Sequence, residues 1–314
     1  MIIPENLVKT NHEFLFIYDA KDCNPNGDPN NENKPRMDED REINFVSDVR
    51  LKRYIRDYLQ QFKGKDIYVT KIDGKASMPK KILDNLKQRS KYDGNNEIQF
   101  YLNNLIDVRM FGATMAIEGS SGSFTGPIQI SWGYSLNKVK INDNGITTHF
   151  ASTDKNDQGS MGRDPRVNYS LIAFYGNIIA KKCDHTLLTE DDIALFDEAI
   201  IKSIPLLSTR SKIGQCPRLY IRIEYNDPEY LNGDLRRLVH FNQKEGLEDK
   251  TAKIDTIVNI SEITLDAQQL EKKLGVMKNT TLTIDNDEKP LIKHIEYWQH
   301  EDLKIKGDLS KWIM

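Results

Sequence analysis

The order of the predicted secondary-structure elements constrains the fold of this chain more than any other feature. Apolar and alternating runs, rich in β-branched and aromatic residues, predict four strands, at Glu13–Ala20, Pro127–Ser135, Val167–Ile179 and Arg218–Tyr225. Apolar residues at helical spacing predict a helix after Ser47 and another after Thr189, and both residues are suitable N-caps. Strand, helix, strand, strand, helix, strand is the split βαβ order. The sequence therefore predicts an α+β protein with a ferredoxin-like core.

Two long insertions interrupt this order, at residues 63–125 and 137–166. The first is rich in Lys and Asn, with predicted helices at Pro79–Arg89 and Glu97–Asp107, and the second is polar with Gly and Asn turns. A connection that long between hairpin strands usually has a function. We therefore expect one domain over residues 1–314. Its core would comprise residues 13–62 and 126–225, decorated by residues 226–314, which include a helix at Asp266–Leu274 and a strand at Thr280–Ile284.

The same patterns indicate which side chains face inward. The inward stripes are Leu51, Ile55 and Leu59 on the first helix and Ile193, Phe196 and Ile200 on the second, which Pro205 follows just past its end. In the strand at 127–135, one face carries Ile128, Ile130, Trp132 and Tyr134. Phe14, Phe16, Ile128 and Ile130 are predicted core residues.

Charge is distributed unevenly along the chain. The formal net charge is −3, which argues against indiscriminate nucleic-acid binding, because such domains are usually basic. Yet no acid occurs between Glu198 and Glu224, where the chain has Lys202, Arg210, Lys212, Arg218 and Arg222. A second basic cluster, on the first helix, consists of Arg50, Lys52, Arg53 and Arg56. These clusters predict a basic stripe on an acidic body.

Cysteine usage and hydropathy exclude several protein classes. Cys23, Cys183 and Cys216 are unclustered and odd in number, so they predict neither a disulfide framework nor a zinc site. No apolar run approaches the length of a membrane span, and the N-terminus lacks the apolar core of a signal peptide. We expect a cytoplasmic protein with no membrane contact, no cofactor and no metal.

Three polar loops are candidate binding elements. Asp22–Asn30 follows the first strand and offers adaptable amides at Asn24 and Asn26; it matches the first half of a calcium loop, but the second half lacks the required Glu. Thr209–Gln215 combines two cations with hydroxyls and an amide, which suits phosphate oxygens and 2′-hydroxyls. Gly119–Gly126 is either a phosphate-binding nest or a surface loop; it lacks the ending of a P-loop.

The motifs occur in an order that resembles a known family. They are Asn24–Pro29 (NPNGDP), Pro35-Arg36, Ser47–Arg53 (SDVRLKR), Asp107–Ala113 (DVRMFGA), Gly122–Pro127 (GSFTGP), Met161-Gly162 and Ser211–Arg218 (SKIGQCPR). Over residues 13–225 this pattern strongly resembles the Cas-seven backbone subunit of type I CRISPR Cascade complexes, most closely that of subtype I-B.

The resemblance implies an RNA-recognition-like palm, a helical fingers insertion at 63–125 and a β-hairpin thumb at 137–166. It implies a non-catalytic subunit that polymerises head to tail along CRISPR RNA, joins other Cascade subunits and presents the guide for pairing with target DNA. Met161 is the candidate wedge between bases. The residues expected to contact RNA are Asn24, Asn26, Lys34, Arg36, Lys52, Arg53, Arg56, Arg109, Ser123, Phe124, Thr125, Met161, Arg163, Arg210, Ser211, Lys212 and Gln215.

Two alternatives remain open from the sequence. Backbone subunits of type III complexes are metal-dependent RNases that cut bound RNA with an aspartate after the first strand, and Asp22 or Asp28 occupies such a place. The other alternative is a stand-alone domain that binds single-stranded RNA, but such domains often expose aromatic residues on the sheet face, where this chain has predicted core residues.

Overall fold

The computed structural model describes residues 3–72, 74–76, 78–117, 120–147, 161–243, 257, 259–284 and 287–312. The strands of these residues are β1 (His12–Cys23), β2 (Gly27–Asp28), β3 (Lys34–Pro35), β4 (Met37–Asp38), β5 (Ile43–Val46), β6 (Lys71–Ile72), β7 (Lys75–Ala76), β8 (Gly112–Ile117), β9 (Ser120–Thr125), β10 (Ile128–Ile130), β11 (Gly133–Ser135), β12 (Ile141–Thr147), β13 (Met161–Ile178), β14 (Gln215–Tyr225), β15 (His240–Gln243), β16 (Ile263–Asp266), β17 (Thr281–Ile284), β18 (Asp287–Pro290), β19 (Ile292–Gln299) and β20 (Ile305–Lys306). The helices are α1 (Asp48–Lys63), α2 (Pro79–Arg89), α3 (Glu97–Asn104), α4 (Ile106–Phe111), α5 (Ala180–Thr186), α6 (Glu190–Leu206) and α7 (Gln268–Lys278), with 3-10 turns at Leu235–Leu238, Ile260–Glu262 and Ser310–Trp312. No helix in these ranges is long and apolar enough to cross a membrane.

One large antiparallel sheet organises the molecule, which confirms the predicted α+β class. Its order is β19, β14, β1, β13, β11, β5 and β4, and β10 and β12 also pair with β13. Strand β13 is 18 residues long. Because of this length, one end lies opposite β1, with Phe174 facing Phe16, and the other extends into a hairpin with β12, with Met161 facing Thr147.

Helix α1 covers the first face of the sheet, which we define as the side of Phe14 and Phe16. Ser47 caps the helix by accepting a hydrogen bond from the amide of Arg50, as predicted. Gly64 ends it in the left-handed conformation, with φ of 62°, where a side chain would be strained. The predicted inward stripe, Leu51, Ile55 and Leu59, is buried.

Helix α6 packs beside α1 on the same face. Thr189 caps it, and the buried Phe196 lies in the apolar core between helix and sheet. Pro205 lies inside α6 rather than past its end, which corrects the predicted boundary. The proline removes one amide donor, but the last turn still closes, because the amide of Leu207 donates to the carbonyl of Ser203 at 3.1 Å.

The C-terminal part of the chain covers the second face, which is the side of Leu15 and Ile17. Both residues are fully buried in a cluster with Leu270 and Leu274 of α7. Residues 226–314 also contribute β19, which pairs with β14 and extends the main sheet. Sheet faces that a generic RNA-recognition domain would expose are therefore buried here.

Two predicted elements are divided in the structure. The helix predicted at Glu97–Asp107 is split into α3 and α4, because Leu105 adopts an extended conformation between them. The strand predicted at 127–135 is split into β10 and β11, so its alternation is not continuous. Ile128 and Ile130 are buried as predicted, whereas the side chains of Trp132 and Tyr134 are each 44% exposed.

In the two insertions, one predicted loop forms a strand, and part of the predicted thumb lies outside the described residues. Residues 120–125, predicted as part of a Gly/Ser loop, form strand β9, which pairs with β8. Of the second insertion, residues 148–160 lie outside the described residues, as does the side chain of Met161, although its backbone begins β13.

Candidate nucleic-acid interface

Four segments converge where β1 ends. The amide of Asn24 donates to the carbonyl of Ser211 at 2.8 Å, which joins the loop after β1 to the loop before β14. The amide of Ser47 donates to the Asn26 side chain at 2.9 Å, which adds the start of α1. Arg166 donates to the carbonyl of Asp22 at 2.8 Å, which adds the start of β13. We call this region, comprising residues 22–36, 47–54, 163–166 and 209–215, the cationic junction.

Two cations lie together at the centre of the cationic junction. The Lys212 amine donates to the carbonyl of Asn24, and the Arg50 guanidinium lies 4.0 Å from the centre of the Tyr54 ring. Within the described residues, neither cation forms an ion pair with a carboxylate. Burial, followed by the nearby charge of Arg50, lowers the pKa of Lys212 from 10.5 to about 8. An anion bound between them would relieve this repulsion.

Amide groups form the wall of the cationic junction. Gln215 is buried and donates to the Tyr54 hydroxyl at 3.0 Å and to the Lys212 carbonyl at 2.8 Å. Asn24 is buried and donates to the carbonyl of Asn33 at 2.7 Å. The side-chain oxygens of Gln215 and Asn24 have no hydrogen-bond partner among the described residues. Each unsatisfied buried oxygen costs about 1–3 kcal/mol, so these two amide oxygens lower the free energy of unfolding of the RNA-free protein.

The margin of the cationic junction carries cations that are already paired. Arg210 and Arg166 share Asp164, at 3.3 and 2.8 Å. Arg163 lies 3.5–3.6 Å from two carboxylates, those of Asp143 and Glu32, and its side chain is 64% exposed. Salt bridges between exposed groups are weak, about 0–1 kcal/mol, so Arg163 remains available to a stronger anion, whereas Asp164, the partner of Arg166 and Arg210, is buried.

The remaining predicted residues of the 22–36 loop hold its shape. Arg36 lies 3.6 Å from Asp28 and donates its amide to the carbonyl of Asn26. Lys34 is half-buried on the short strand β3. Asp28 also accepts from the amide of Asn30 at 3.1 Å. The loop is thus a fixed turn rather than a flexible connection.

The contacts of Lys52 and Arg53 lie within α1, with Val69 and with Phe111 of α4, and not with the 209–215 loop. Lys52 is paired with Asp48 at 3.0 Å and lies near the Phe111 ring. Arg53 is paired with Asp57 and donates to the carbonyl of Val69. The cation near Lys212 is Arg50, not Arg53. Arg50 belongs to the basic cluster of the sequence but not to the predicted binding residues, and its position in the first turn of α1 is the signal that could identify it.

Two predicted RNA contacts are structural ion pairs. Arg56 donates to Asp107 at 2.8 Å, and both side chains are buried. Arg109 binds Asp192 through two hydrogen bonds of 2.7 and 2.8 Å and also donates to the carbonyl of Leu102. These pairs fasten α4 to α1 and α6. Arg109 donates four hydrogen bonds within the protein, to Asp192, Leu102 and Asn103, so most of its donors are already occupied. The RNA contacts expected of Arg56 and Arg109 stay predictions.

The residues predicted from the Gly/Ser segment lie on strand β9. Phe124 is half-buried against the first apolar core, while Ser123 and Thr125 are exposed on the opposite side of the strand. Among the described residues, no side-chain hydrogen bond or ion pair joins these three residues to the cationic junction.

Carboxylates near the cationic junction have structural partners. Asp19 is buried, contacts Arg218 at 3.0 Å and accepts from the Tyr169 hydroxyl at 3.0 Å, and burial raises its pKa. Asp22 adopts φ of 48° at the turn after β1. Among the described residues, no group of three or more His, Cys, Asp or Glu side chains is arranged to hold a metal ion.

Comparison with known proteins identifies the family. Two solved chains resemble the fold at 13% identity and a TM-score of 0.49: one, described as a CRISPR RNA-guided surveillance complex, covers 96% of each chain, and the other, in a pre-nicking state, covers 72% of this chain and 84% of that one. A CRISPR-associated protein Cas7 from Haloferax volcanii is 31% identical over 92% of each chain. The family model of CRISPR-associated protein Cas7 matches residues 10–266. This chain belongs to the CRISPR-associated protein Cas7 family.

Proposed function

We propose that this chain is a non-catalytic backbone subunit that binds CRISPR RNA in a type I Cascade complex of subtype I-B. The observation that carries the proposal is the pair formed by Lys212 and Arg50, two cations held together without a described carboxylate partner. Such a pair favours a polyanion over any neutral ligand. Membership of the CRISPR-associated protein Cas7 family makes CRISPR RNA the expected polyanion.

The fold supports a division into palm, fingers and thumb. The strand order β14, β1, β13, β10, with α1 and α6 on one face, supports a ferredoxin-like, RNA-recognition-like palm. Helices α2–α4 and the β8–β9 hairpin, within residues 63–125, would form the fingers. The β12–β13 hairpin, within residues 137–166, would form the thumb, with Met161 as its wedge.

The guide would run through the cationic junction as a ribose-phosphate strand. Lys212, Arg50 and Arg210 would bind phosphate oxygens, and the amides of Asn24 and Gln215 would line the strand. Contacts of this kind position a nucleic acid without reading its sequence. Specificity would then come from pairing between the guide and target DNA. Head-to-tail copies, bound at regular intervals beside other Cascade subunits, would form a helical filament.

Salt dependence tests this proposal. We would compare wild-type protein with Arg50→Ala/Lys212→Ala, using Lys181→Ala as the matched control, because Lys181 is 87% exposed on α5, which follows the end of β13 opposite to the cationic junction. CRISPR RNA binding is measured by fluorescence anisotropy between 50 and 300 mM salt. The slope of log affinity against log salt should fall by about 0.7 for each lost phosphate contact.

Melting curves accompany each variant to show that it is folded. If the double variant keeps the wild-type slope and affinity, Lys212 and Arg50 do not belong to the binding site. Weakened binding in the Lys181→Ala control would indicate a nonspecific charge effect and would equally contradict the proposal.

A further inference from the structure

An aromatic corner lies on the second face of the main sheet and has no part in the cationic junction. It consists of Phe45 on β5, Trp132 and Tyr134. The rings of Phe45 and Trp132 stack with centroids 5.5 Å apart and planes at 14°. The C-terminal layer that buries Leu15 and Ile17 leaves Trp132 and Tyr134 each 44% exposed. Stacked, exposed aromatic rings are typical of the centre of a protein interface.

Hydrogen bonds fix the shape of this corner. The Arg236 guanidinium lies 5.7 Å from the centre of the Tyr134 ring and donates to the carbonyl of Trp132 at 2.8 Å. Asp234 holds Arg236 through two hydrogen bonds of 2.8 Å. The neighbouring amide of Gly233 donates to the buried Glu13 at 2.8 Å. A preorganised surface loses little conformational freedom on binding, which favours association.

An acidic turn borders the aromatic corner. It joins β4 to β5, and Phe45 follows it by only a few residues. Asp38 is paired with Arg41 at 3.7 Å, but Glu39 and Asp40 are exposed and form no ion pair with a described cation. Negative charge at this margin repels phosphates and attracts cationic protein surfaces. The corner is therefore suited to a basic protein partner rather than to a nucleic acid.

The fingers carry the complementary surface. Residues 71–91 contain seven Lys or Arg and two Asp. At the start of α2, Lys80 and Lys81 are exposed and unpaired with any described carboxylate, and the N-cap Met78 is 76% exposed. Thioethers pack favourably at ring edges, and lysines bind aromatic faces. The surface that carries Met78, Lys80 and Lys81 is therefore complementary to the aromatic corner and its acidic turn.

These two surfaces lie on opposite faces of the main sheet. Tyr134 is paired with Ala173, which belongs to the apolar cluster of the second face. Leu83 and Leu86 of α2 belong to the cluster of the first face. Complementary surfaces on opposite faces meet between successive copies, as a heterologous contact that does not close. We infer that the aromatic corner of one subunit binds the Met78–Lys81 end of α2 in a second copy, an inference that rests on the proposed head-to-tail assembly.

Charge reversal with rescue tests this contact. Lys80→Glu/Lys81→Glu and Glu39→Lys/Asp40→Lys should each raise the protein concentration needed for half-maximal assembly on CRISPR RNA about tenfold, because like charges then oppose each other. Trp132→Ala should have a similar effect. The chain with all four charge reversals should recover most of the assembly, because both sides of every contact are then exchanged. Assembly is measured as the number of subunits on one guide, by mass photometry.

The outcomes separate this contact from the proposed function. Normal assembly by either charge-reversed pair, or no recovery in the fourfold variant, overturns the inference and leaves RNA binding intact. Failure of recovery is also the result expected if Lys80 and Lys81 bind RNA instead. If wild-type protein forms no multimer on CRISPR RNA, the proposed function and this inference both fail. Lys181→Glu is the control for a general effect of added negative charge.

Discussion

Raising the pH from 7 to 9 should weaken CRISPR RNA binding through Lys212. Burial and the charge of Arg50 lower the pKa of this amine from 10.5 to about 8 in the RNA-free protein. At pH 7 the amine is about nine-tenths protonated, and at pH 9 it is about one-tenth protonated. A bound phosphate offsets the burial of the charge and the repulsion by Arg50, so it raises the pKa of the amine above its value in the RNA-free protein. Binding at pH 9 must therefore take up nearly one proton.

The pKa of Lys212 in the RNA-free protein sets the size of the effect. Because the amine that holds a phosphate is protonated, the affinity follows the protonated fraction of the free protein, which falls roughly tenfold from pH 7 to 9, or about 1.4 kcal/mol. The pH dependence of folding stability has the opposite sign to that of RNA binding. Because the pKa of Lys212 is lower in the folded than in the unfolded chain, the charged amine opposes folding below pH 8. Its contribution to stability rises as the pH increases from about 8 towards 10.5.

Lys212→Arg is the matched control, because arginine stays charged over this range. RNA affinity is measured by anisotropy at constant ionic strength, and calorimetry in two buffers with different ionisation enthalpies counts the protons taken up at pH 8.5. The wild-type protein should lose affinity while the arginine variant does not. Equal losses in both proteins, or no proton uptake by the wild type, would refute a phosphate contact at Lys212.

Four further predictions concern stability and activity. Arg109→Ala should lower the free energy of unfolding by about 3–5 kcal/mol, since it leaves the buried carboxylate of Asp192 unpaired; denaturant titration measures this, and a change below 1 kcal/mol would contradict the structural role. Gly133→Ala should cost at least about 1–3 kcal/mol, because a Cβ there would lie 2.3 Å from the Phe174 ring, so an unchanged melting temperature would show that the ring can move. Lys212→Met should stabilise the RNA-free protein by about 1 kcal/mol at pH 7 while weakening RNA binding, and a loss of both would indicate that the amine mainly supports the loop. Assembled complex incubated with complementary RNA and Mg²⁺ should leave that RNA intact on a sequencing gel, whereas cleavage at regular intervals would favour the type III RNase alternative.

Sequence predicts those elements whose signals are local. The bounds of α2 agree with the prediction, because Pro79 fixes the first turn and the apolar spacing ends at Arg89. Ser47 was recognisable as a cap because a hydroxyl precedes an amphipathic run. The break between β10 and β11 has no such signal. At this break the carbonyl of Trp132 accepts a hydrogen bond from Arg236, which is 104 positions away.

For the same reason, local sequence patterns do not distinguish cations that are candidates for RNA binding from cations that form structural ion pairs. Arg50 and Arg56 lie on one helix and look alike in the sequence, yet only Arg56 has a buried carboxylate partner, Asp107, 51 positions further along. The partner of Arg109 is 83 positions away. No local pattern encodes these pairs, so the sequence does not distinguish Arg56 and Arg109, whose acidic partners are distant along the chain, from Arg50, which the predicted binding residues omit. The structure brings the loops at 22–36 and 209–215 together, and the RNA contacts predicted there stay predictions.

A pair of unneutralised cations needs a physical reason to persist. One acid in the 209–215 loop would neutralise Lys212 and stabilise the chain, as Asp192 does for Arg109. Instead, the sequence has no acid between Glu198 and Glu224, and the fold holds Lys212 near Arg50. Local choices that oppose stability are expected at functional sites. A bound anion would relieve the repulsion, so in the proposed site part of the free energy lost by the RNA-free protein would reappear as affinity for the guide backbone.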